Sequence, residues 1–345
     1  MLYQLMYKDA VVLEFDSATP NKHEVINATF LPVGIQNGMN LENWLRQRRA
    51  DKSRISIRKL FAILKINFGR DKYISQFRRP TDFWWIRKKD SDDVFDMPIE
   101  DLHLLSLNLS PVVPRSPRTY EAANIGSYEK GWLRNGNELY KYGTVNEIFS
   151  ELLYATISVD YLETAFYVLG SDVQMQTGSK NFIATHNFVN LESGEFLVLA
   201  DEWTGTGAEE VFEDWFEKFN ETLEKEELES LKIMHFLDVV LNNIDRHCQN
   251  FGFVYNENGT RRIAPNFDFN LSIIGYIGLE GINNNAIPVK SYFELFSEVP
   301  DAVKQIPSRE LLTEYIELIC LDMELKVESY LVLADWIINR WEQLV

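Results

Sequence analysis

The chain has 345 residues, 46% of them hydrophobic and 13% aromatic, which excludes global disorder and leaves room for two or three subdomains. Two cysteines, Cys248 and Cys320, exclude a disulfide framework and a cysteine-based zinc site. The net charge of −18 is unevenly placed: residues 1–90 hold 17 Lys/Arg against 9 Asp/Glu, and the other 255 residues hold 17 against 43.

Met1 to Phe15 carries charges and alternates like a strand (Tyr3, Leu5, Val11, Leu13, Phe15), unlike a signal peptide. Phe30-Leu31-Pro32-Val33-Gly34 predicts a turn. An amphipathic helix is expected from about Asn40 (Leu41, Trp44, Leu45), and another near Ile57 to Ile66. Phe83-Trp84-Trp85-Ile86 reads as a short aromatic strand. Basic residues crowd positions 46–79 (Arg46, Arg48, Arg49, Lys52, Arg54, Arg58, Lys59, Lys65, Arg70, Lys72, Arg78, Arg79). Such a block suits nucleic acid or an acidic partner, docks on the acidic body of its own chain, or is simply a solvated helix face. Pro111 to Pro117, with three prolines in seven residues, predicts a linker that closes a basic accessory module over residues 1–115.

From Gly126 the texture changes. Trp132 to Tyr142 reads as strand, tight turn, strand, and Val145 to Leu162 has a 3.6-residue apolar period (Ile148, Leu152, Ala155, Val159). Glu163 to Leu169 and Phe182 to Leu191 are expected strands, separated by a polar loop at Ser171 to Lys180. Gly205 to Lys225 predicts an acidic helix with an aromatic stripe (Phe212, Trp215, Phe216, Phe219). An apolar helical run, Leu231 to Leu241, leads into Asn242-Asn243-Ile244-Asp245-Arg246-His247-Cys248-Gln249-Asn250. Phe251 to Tyr255 is then a strand, Asn258-Gly259 a hairpin turn, and Arg262 to Pro265 the return toward Asp268. Tyr292 to Val345 reads as helices. No run of eighteen apolar residues exists, so a soluble, cytoplasmic protein with no membrane span is expected.

The chemistry sits in Asp245, Asn250 and Asp268. A carboxylate, an amide five residues on and a second carboxylate beyond a hairpin supply a base for an acceptor hydroxyl and two oxygen ligands for the Mg²⁺ of ATP. The order of elements predicts an α+β, bilobal, protein-kinase-like fold: a small β-rich lobe with one helix over residues 116–200, and a larger helical lobe over 201–345. A kinase also needs a lysine at the phosphates braced by a helix carboxylate. Lys141 on its strand qualifies, with Glu151 preferred to Glu147 as its partner. Gly126-Ser127-Tyr128-Glu129-Lys130-Gly131 is the candidate phosphate loop, with glycines at both ends and Lys130 as a point charge. The strand leaving the small lobe, at Thr185-His186-Asn187-Phe188, would meet the adenine edge through backbone groups. Cys248 reads either as a modifiable thiol or as a small buried packing residue.

With those residues in place, the chain resembles the HipA family of bacterial serine/threonine kinases, distantly similar to phosphatidylinositol kinases, over roughly Gly126 to Asp268. Gly126-Ser127-Tyr128-Glu129-Lys130 looks like its Gly-x-Gln-x-Lys phosphate loop, and Leu139-Tyr140-Lys141 like its ATP-lysine strand. Asn146-Glu147 to Glu151 looks like its Asn-Glu helix start. Asn243-x-Asp245-x-His247-x-x-Asn250-Phe251 is similar to its catalytic loop, and Pro265-x-x-Asp268 to its metal-binding Asp. The resemblance implies that Asp245 is the catalytic base, that Asn250 and Asp268 bind Mg²⁺, that Lys141 contacts ATP phosphates and that His247 borders the nucleotide. His247 reads equally as a structural histidine of the loop. It implies a protein substrate with a Ser/Thr acceptor, and any DNA-binding antitoxin would be a separate chain. Three departures stand out: Tyr128 replaces the usual Gln, Ala123 stands where some members carry an autophosphorylated serine, and Asn270 follows Asp268-Phe269 in place of the Gly of conventional kinases. Two other readings keep their place beside the kinase: a phosphotransferase with a non-protein acceptor, and a non-catalytic nucleic-acid or protein interaction module working through its basic N-terminal part.

Overall fold

The computed structural model describes residues 1–49, 77–95, 130–133, 137–170, 182–205 and 216–345. Three antiparallel sheets and a C-terminal helical layer give a mixed α+β architecture. The expected helix near Ile57, the Pro111–Pro117 linker, Gly126, Ser127 and Tyr128 of the phosphate loop, and the Ser171–Lys180 loop lie outside the described residues.

The first sheet contains β1 (Leu2–Tyr7), β2 (Ala10–Asp16), β3 (His23–Val25) and β4 (Trp84–Lys88), in the order β3-β2-β1-β4. The alternation over Met1–Phe15 is therefore a hairpin, reversed at Lys8, whose φ is 49°. Leu5 sits opposite both Leu13 and Ile86, so three apolar side chains stack on one face. Where a turn is expected at Phe30–Gly34, the chain makes a 3₁₀ turn (Ala28–Phe30) and one helical turn (Val33–Gln36). Helix α1 (Leu41–Gln47) follows, capped by the Asn40 side chain, which accepts the Asn43 N–H at 2.8 Å. It buries Leu41, Trp44 and Leu45.

The second sheet contains β5 (Lys130–Leu133), β6 (Glu138–Tyr142), β7 (Tyr167–Leu169) and β8 (Phe182–His186), in the order β5-β6-β8-β7. Helix α2 (Val145–Ser158) opens with a capping box: Glu147 accepts the Thr144 N–H at 2.6 Å, and the Thr144 hydroxyl accepts the Glu147 N–H at 3.3 Å. The third sheet contains β9 (Phe196–Leu199), β10 (Gly252–Tyr255) and β11 (Arg261–Ile263), with β10 at its centre. Strand β9 is new relative to the sequence reading. It runs straight into α3 (Ala200–Thr204), which ends at Gly205.

Of the acidic helix expected over Gly205–Lys225, residues 206–215 lie outside the described residues. Gly205 has a φ of +80° and terminates α3, and a Cβ there would lie 2.3 Å from the Asn37 carbonyl oxygen. The described part of that acidic stretch is helical over α4 (Phe216–Thr222), and α5 (Lys225–Val240) starts after Glu224, which caps it with Glu227. The remaining layer holds α6 (Gly278–Asn285), α7 (Arg309–Asp322) and α8 (Val332–Glu342). Arg340 on α8 is buried and donates to the carbonyls of Val239, Val240 and Ile287, closing the C-terminus of α5 just before the Asp245 loop. Among the described residues no helix is long and apolar enough to cross a membrane.

The N-terminal sheet is docked against the body by buried polar contacts. Trp44 donates to Glu202 at 2.5 Å, Asn37 to the Trp203 carbonyl at 2.6 Å, and the Leu197 N–H to the Thr81 carbonyl at 2.8 Å. Part of the basic cluster serves this core. Arg48, 2% exposed, makes a bidentate pair with Asp82 (2.6 and 2.7 Å) and donates to the carbonyls of Phe77 and Trp84. That guanidinium is unavailable to a nucleic acid.

Candidate active site

A cavity of about 330 Å³ opens between the second sheet, α2 and the Asp245 loop. It brings together Lys130, Lys141, Glu151, His186, Asn187, Phe188, Asp245, His247, Asn250 and Asp268, ten of the twelve residues singled out from the sequence. Gly126 and Ser127 lie outside the described residues.

Strand β6 and helix α2 place the first pair. Lys141 Nζ lies 2.9 Å from Glu151 Oε1 and 2.9 Å from Asp268 Oδ1. Glu147 is committed to the helix cap, which settles which carboxylate braces the lysine. Burial opposes the charge on Lys141, but Asp268 and Glu151 hold its ammonium well above the usual lysine range. Burial pushes Glu151 up, with Lys141 pulling the other way. Burial would also raise Asp268, yet Lys141 and then Lys130 outweigh it and hold that carboxyl well below the usual range. Lysine and aspartate thus form an ion pair at neutral pH.

Asp268 has a φ of 66°, and its N–H donates to the Tyr167 hydroxyl at 3.1 Å. The next residue, Phe269, is fully buried and stacks on Tyr154 with ring centroids 4.1 Å apart. Burying such a ring stabilises the fold by about 2–3 kcal/mol and fixes where Asp268 points. Asn270 lines the cavity, and a Cβ on Gly275 would lie 1.9 Å from its carbonyl oxygen, so the loop closes tightly on itself.

Asp245 and Asn250 face the same space. The Asn250 Nδ2 donates to the Asp245 carbonyl at 2.7 Å, which leaves the amide oxygen as the group it can offer a cation. Burial raises the Asp245 carboxyl and His247 counteracts it. The His247 Nδ1 accepts the Gln249 N–H at 3.2 Å while the ring borders the cavity, so the histidine holds the loop and lines the cavity at once. Cys248 is fully buried, the packing role.

Beneath the loop lies a network to which the sequence reading gave no role. Arg246, buried, pairs with Asp238 (2.8 and 3.1 Å) and donates to the carbonyls of Asn250 (2.5 Å) and Phe267 (3.3 Å) and to Asn266 Oδ1 (3.2 Å). Tyr154 and Asn243 donate to the same Asp238 carboxylate at 2.6 and 2.8 Å. A second buried carboxylate, Asp201, accepts from Gln249 at 2.8 Å and from Gln47 of the N-terminal module. Arg79, Pro80 and Thr81 form part of the cavity wall, a second contribution of that module. At the end of β8 and just after it, the backbone N–H groups of His186 and Asn187 donate to the carbonyls of Phe166 and Asn137, and the Asn187 side chain bonds Pro80 and Val189. Those two N–H groups are engaged within the protein.

The donor set fits a Mg²⁺-nucleotide. One carboxylate and one amide oxygen lie beside two ammonium groups, and Mg²⁺ characteristically takes one or two protein oxygens and completes its shell with phosphates and water. Among the described residues no cluster of three His, Cys, Asp or Glu forms a self-sufficient metal cage.

No protein-family model and no curated protein sequence matches this chain. Among solved structures, the proinflammatory kinase CtkA of Helicobacter pylori is similar over 63% of this chain and 94% of its own, at 17% identity and a TM-score of 0.45. HipA of Shewanella oneidensis, solved with HipB and its operator DNA, is similar over 99% of this chain and 97% of its own, at 10% identity and a TM-score of 0.55. Near-complete coverage in both directions at that TM-score shows a shared architecture, and the chain has a HipA-like kinase fold.

Proposed function

We propose that this protein is a Mg²⁺/ATP-dependent serine/threonine protein kinase of HipA type. The observation that carries the reading is Lys141 Nζ held 2.9 Å from both Glu151 and Asp268, in one cavity with Asp245 and Asn250. A phosphoryl-transfer site needs these parts and few others, because catalysis there is mostly positioning and charge neutralisation. Lys141 and Lys130 supply positive charge for phosphate oxygens. Asn250 and Asp268 offer the oxygens that would hold Mg²⁺, which when bound neutralises charge on the phosphates. Asp245 orients the acceptor hydroxyl and takes its proton as the new O–P bond forms and the bond to the leaving diphosphate breaks.

Incubation with γ-labelled ATP and Mg²⁺, with and without cell lysate, tests this beside Asp245→Asn and Asp268→Asn. Label on protein with wild type, lost in both variants, is the expected result. No transfer and no nucleotide-dependent thermal shift would overturn the reading. Since the Shewanella HipA is seen with HipB and operator DNA, a separate DNA-binding antitoxin is the partner we propose. Co-purification of this chain with the product of an adjacent reading frame checks it.

A further inference from the structure

We propose that Tyr167 is a positioning residue for the cation site, its hydroxyl holding Asp268 in the backbone turn that aims the carboxylate at Lys141 and the cavity. The proposal rests on the Mg²⁺/ATP reading above and adds a residue that acts on the cation through Asp268.

The segment before Asp268 is zipped to the segment before β7. The Asn266 N–H donates to the Glu163 carbonyl at 2.7 Å and the Ala165 N–H to the Asn266 carbonyl at 3.0 Å, a parallel bridge. The next N–H in that alternation belongs to Asp268. It meets a side chain where a continued ladder would offer a carbonyl, donating to the Tyr167 hydroxyl at 3.1 Å. The chain has left the ladder there. Asp268 has a φ of 66°, a left-handed conformation that is unfavourable for a residue with a Cβ unless its surroundings hold it. Phe269, buried against Tyr154, anchors the residue after the turn, and its ring also meets Tyr167 with centroids 5.7 Å apart. The Tyr167 hydroxyl anchors the turn itself.

The sheet register puts Tyr167 where it can do this. It sits opposite Thr185 of β8, which sits opposite Leu139 of β6, and residues paired directly across a sheet share a face. Leu139 is two residues from Lys141, so Tyr167 shares the face of the lysine. Tyr167 lines the cavity, and Lys141 Nζ lies 5.8 Å from the centroid of its ring. One tyrosine therefore meets both members of the Lys141–Asp268 pair, the lysine through its ring and the aspartate through its hydroxyl. Without that hydroxyl the Asp268 N–H is left unpaired in a part-buried place, and a backbone that relaxes to find another acceptor takes the carboxylate away from Lys141.

Tyr167→Phe keeps the ring and removes the oxygen. Calorimetry with the Mn²⁺ complex of a non-hydrolysable ATP analogue measures its effect in two backgrounds, wild type and Asp268→Ala. Tyr167→Phe should weaken binding about tenfold in the first, the scale of one hydrogen bond left unmade, and by less than about twofold once Asp268 is alanine. Hydrogen exchange at the Asp268 amide, read by NMR without nucleotide, gives a second measure: slow in wild type, and at least about tenfold faster in Tyr167→Phe. Unchanged affinity in Tyr167→Phe, the same weakening in both backgrounds, or an Asp268 amide that exchanges at the unprotected rate in wild type would each overturn the assignment while leaving the kinase reading intact. The wild-type exchange rate decides the matter even where a variant does not fold. Wild type that binds no nucleotide would instead remove the kinase reading itself.

Discussion

Replacing Arg246 by methionine isolates what the buried network does for the active-site loop. The guanidinium joins the end of α5 (Asp238), the Asp245 loop (Asn250 carbonyl) and the segment leading to Asp268 (Asn266 and the Phe267 carbonyl). Methionine keeps the length and removes all of these bonds. Asp238, 2% exposed, is then left with Tyr154 and Asn243 as donors and no counter-charge. Breaking one side of a buried ion pair costs about 3–5 kcal/mol, because the other charge stays buried. With a urea m-value of about 3 kcal/mol/M, that corresponds to a midpoint about 1 M or more below wild type. Arg246→Lys should fall in between, since an ammonium keeps the charge but cannot reach the fork of acceptors. Combining Arg246→Met with Asp238→Asn should cost clearly less than the sum of the single variants. A midpoint shift under about 0.3 M for Arg246→Met, or strict additivity in the double variant, would show that the pair is not the strut its geometry makes it.

Lys141→Met should abolish phosphoryl transfer by at least about a hundredfold and raise the Asp268 carboxyl into the ordinary range or above, read by carboxyl-carbon NMR titration, because the charge that holds it low is gone. Asp201 carries a pH signature: burial pushes its carboxyl from 3.8 up to about 7, against hydrogen bonding from Gln249 and in concert with Glu202. A raised folded-state value means that stability is complete below the ordinary range and declines as pH rises through the folded value. Wild type should therefore lose stability relative to Asp201→Asn between pH 3.8 and about 7, and hold a constant difference above that, measured by urea midpoints at each pH. Gly275→Ala should displace the loop after Asp268, since its Cβ would meet the Asn270 carbonyl oxygen at 1.9 Å; nucleotide binding weakened more than tenfold is expected, and unaltered binding would refute the tight closure.

That Asp245, Asn250 and Asp268 face one cavity is foreshadowed by their order, the one phosphoryl-transfer chemistry uses, and the hairpin between them is announced by Asn258-Gly259. The choice of Glu151 over Glu147 was also within reach: Thr144-x-x-Glu147 is a capping signature, and a glutamate held at a helix start is removed from competition for Lys141. Gly205 marks the end of α3 in the same way, as a left-handed terminator. Strand β9 was harder. Phe196-Leu197-Val198-Leu199 is a four-residue apolar run without alternation that passes directly into a helix, so periodicity has nothing to act on. Arg48–Asp82 and Arg246–Asp238 were out of reach, because burial of a charge depends on a partner chosen by tertiary packing, 34 residues away in the first case.

The charge asymmetry of the chain takes on a different sense once these contacts are known. A basic N-terminal part beside an acidic body suggests two separable units, one of them free to meet a polyanion. Arg48 instead neutralises Asp82 inside its own module, and Trp44 donates to Glu202 across the junction. Gln47 reaches Asp201, the same carboxylate that holds Gln249 of the Asp245 loop, while Arg79, Pro80 and Thr81 wall the cavity. Buried polar contacts of this kind are costly to leave unmade, so separating the module would strand Asp201 and Glu202 as well as open one side of the site. The N-terminal module is thus part of what shapes the cavity, and its position and that of the Asp245 loop are linked through one aspartate.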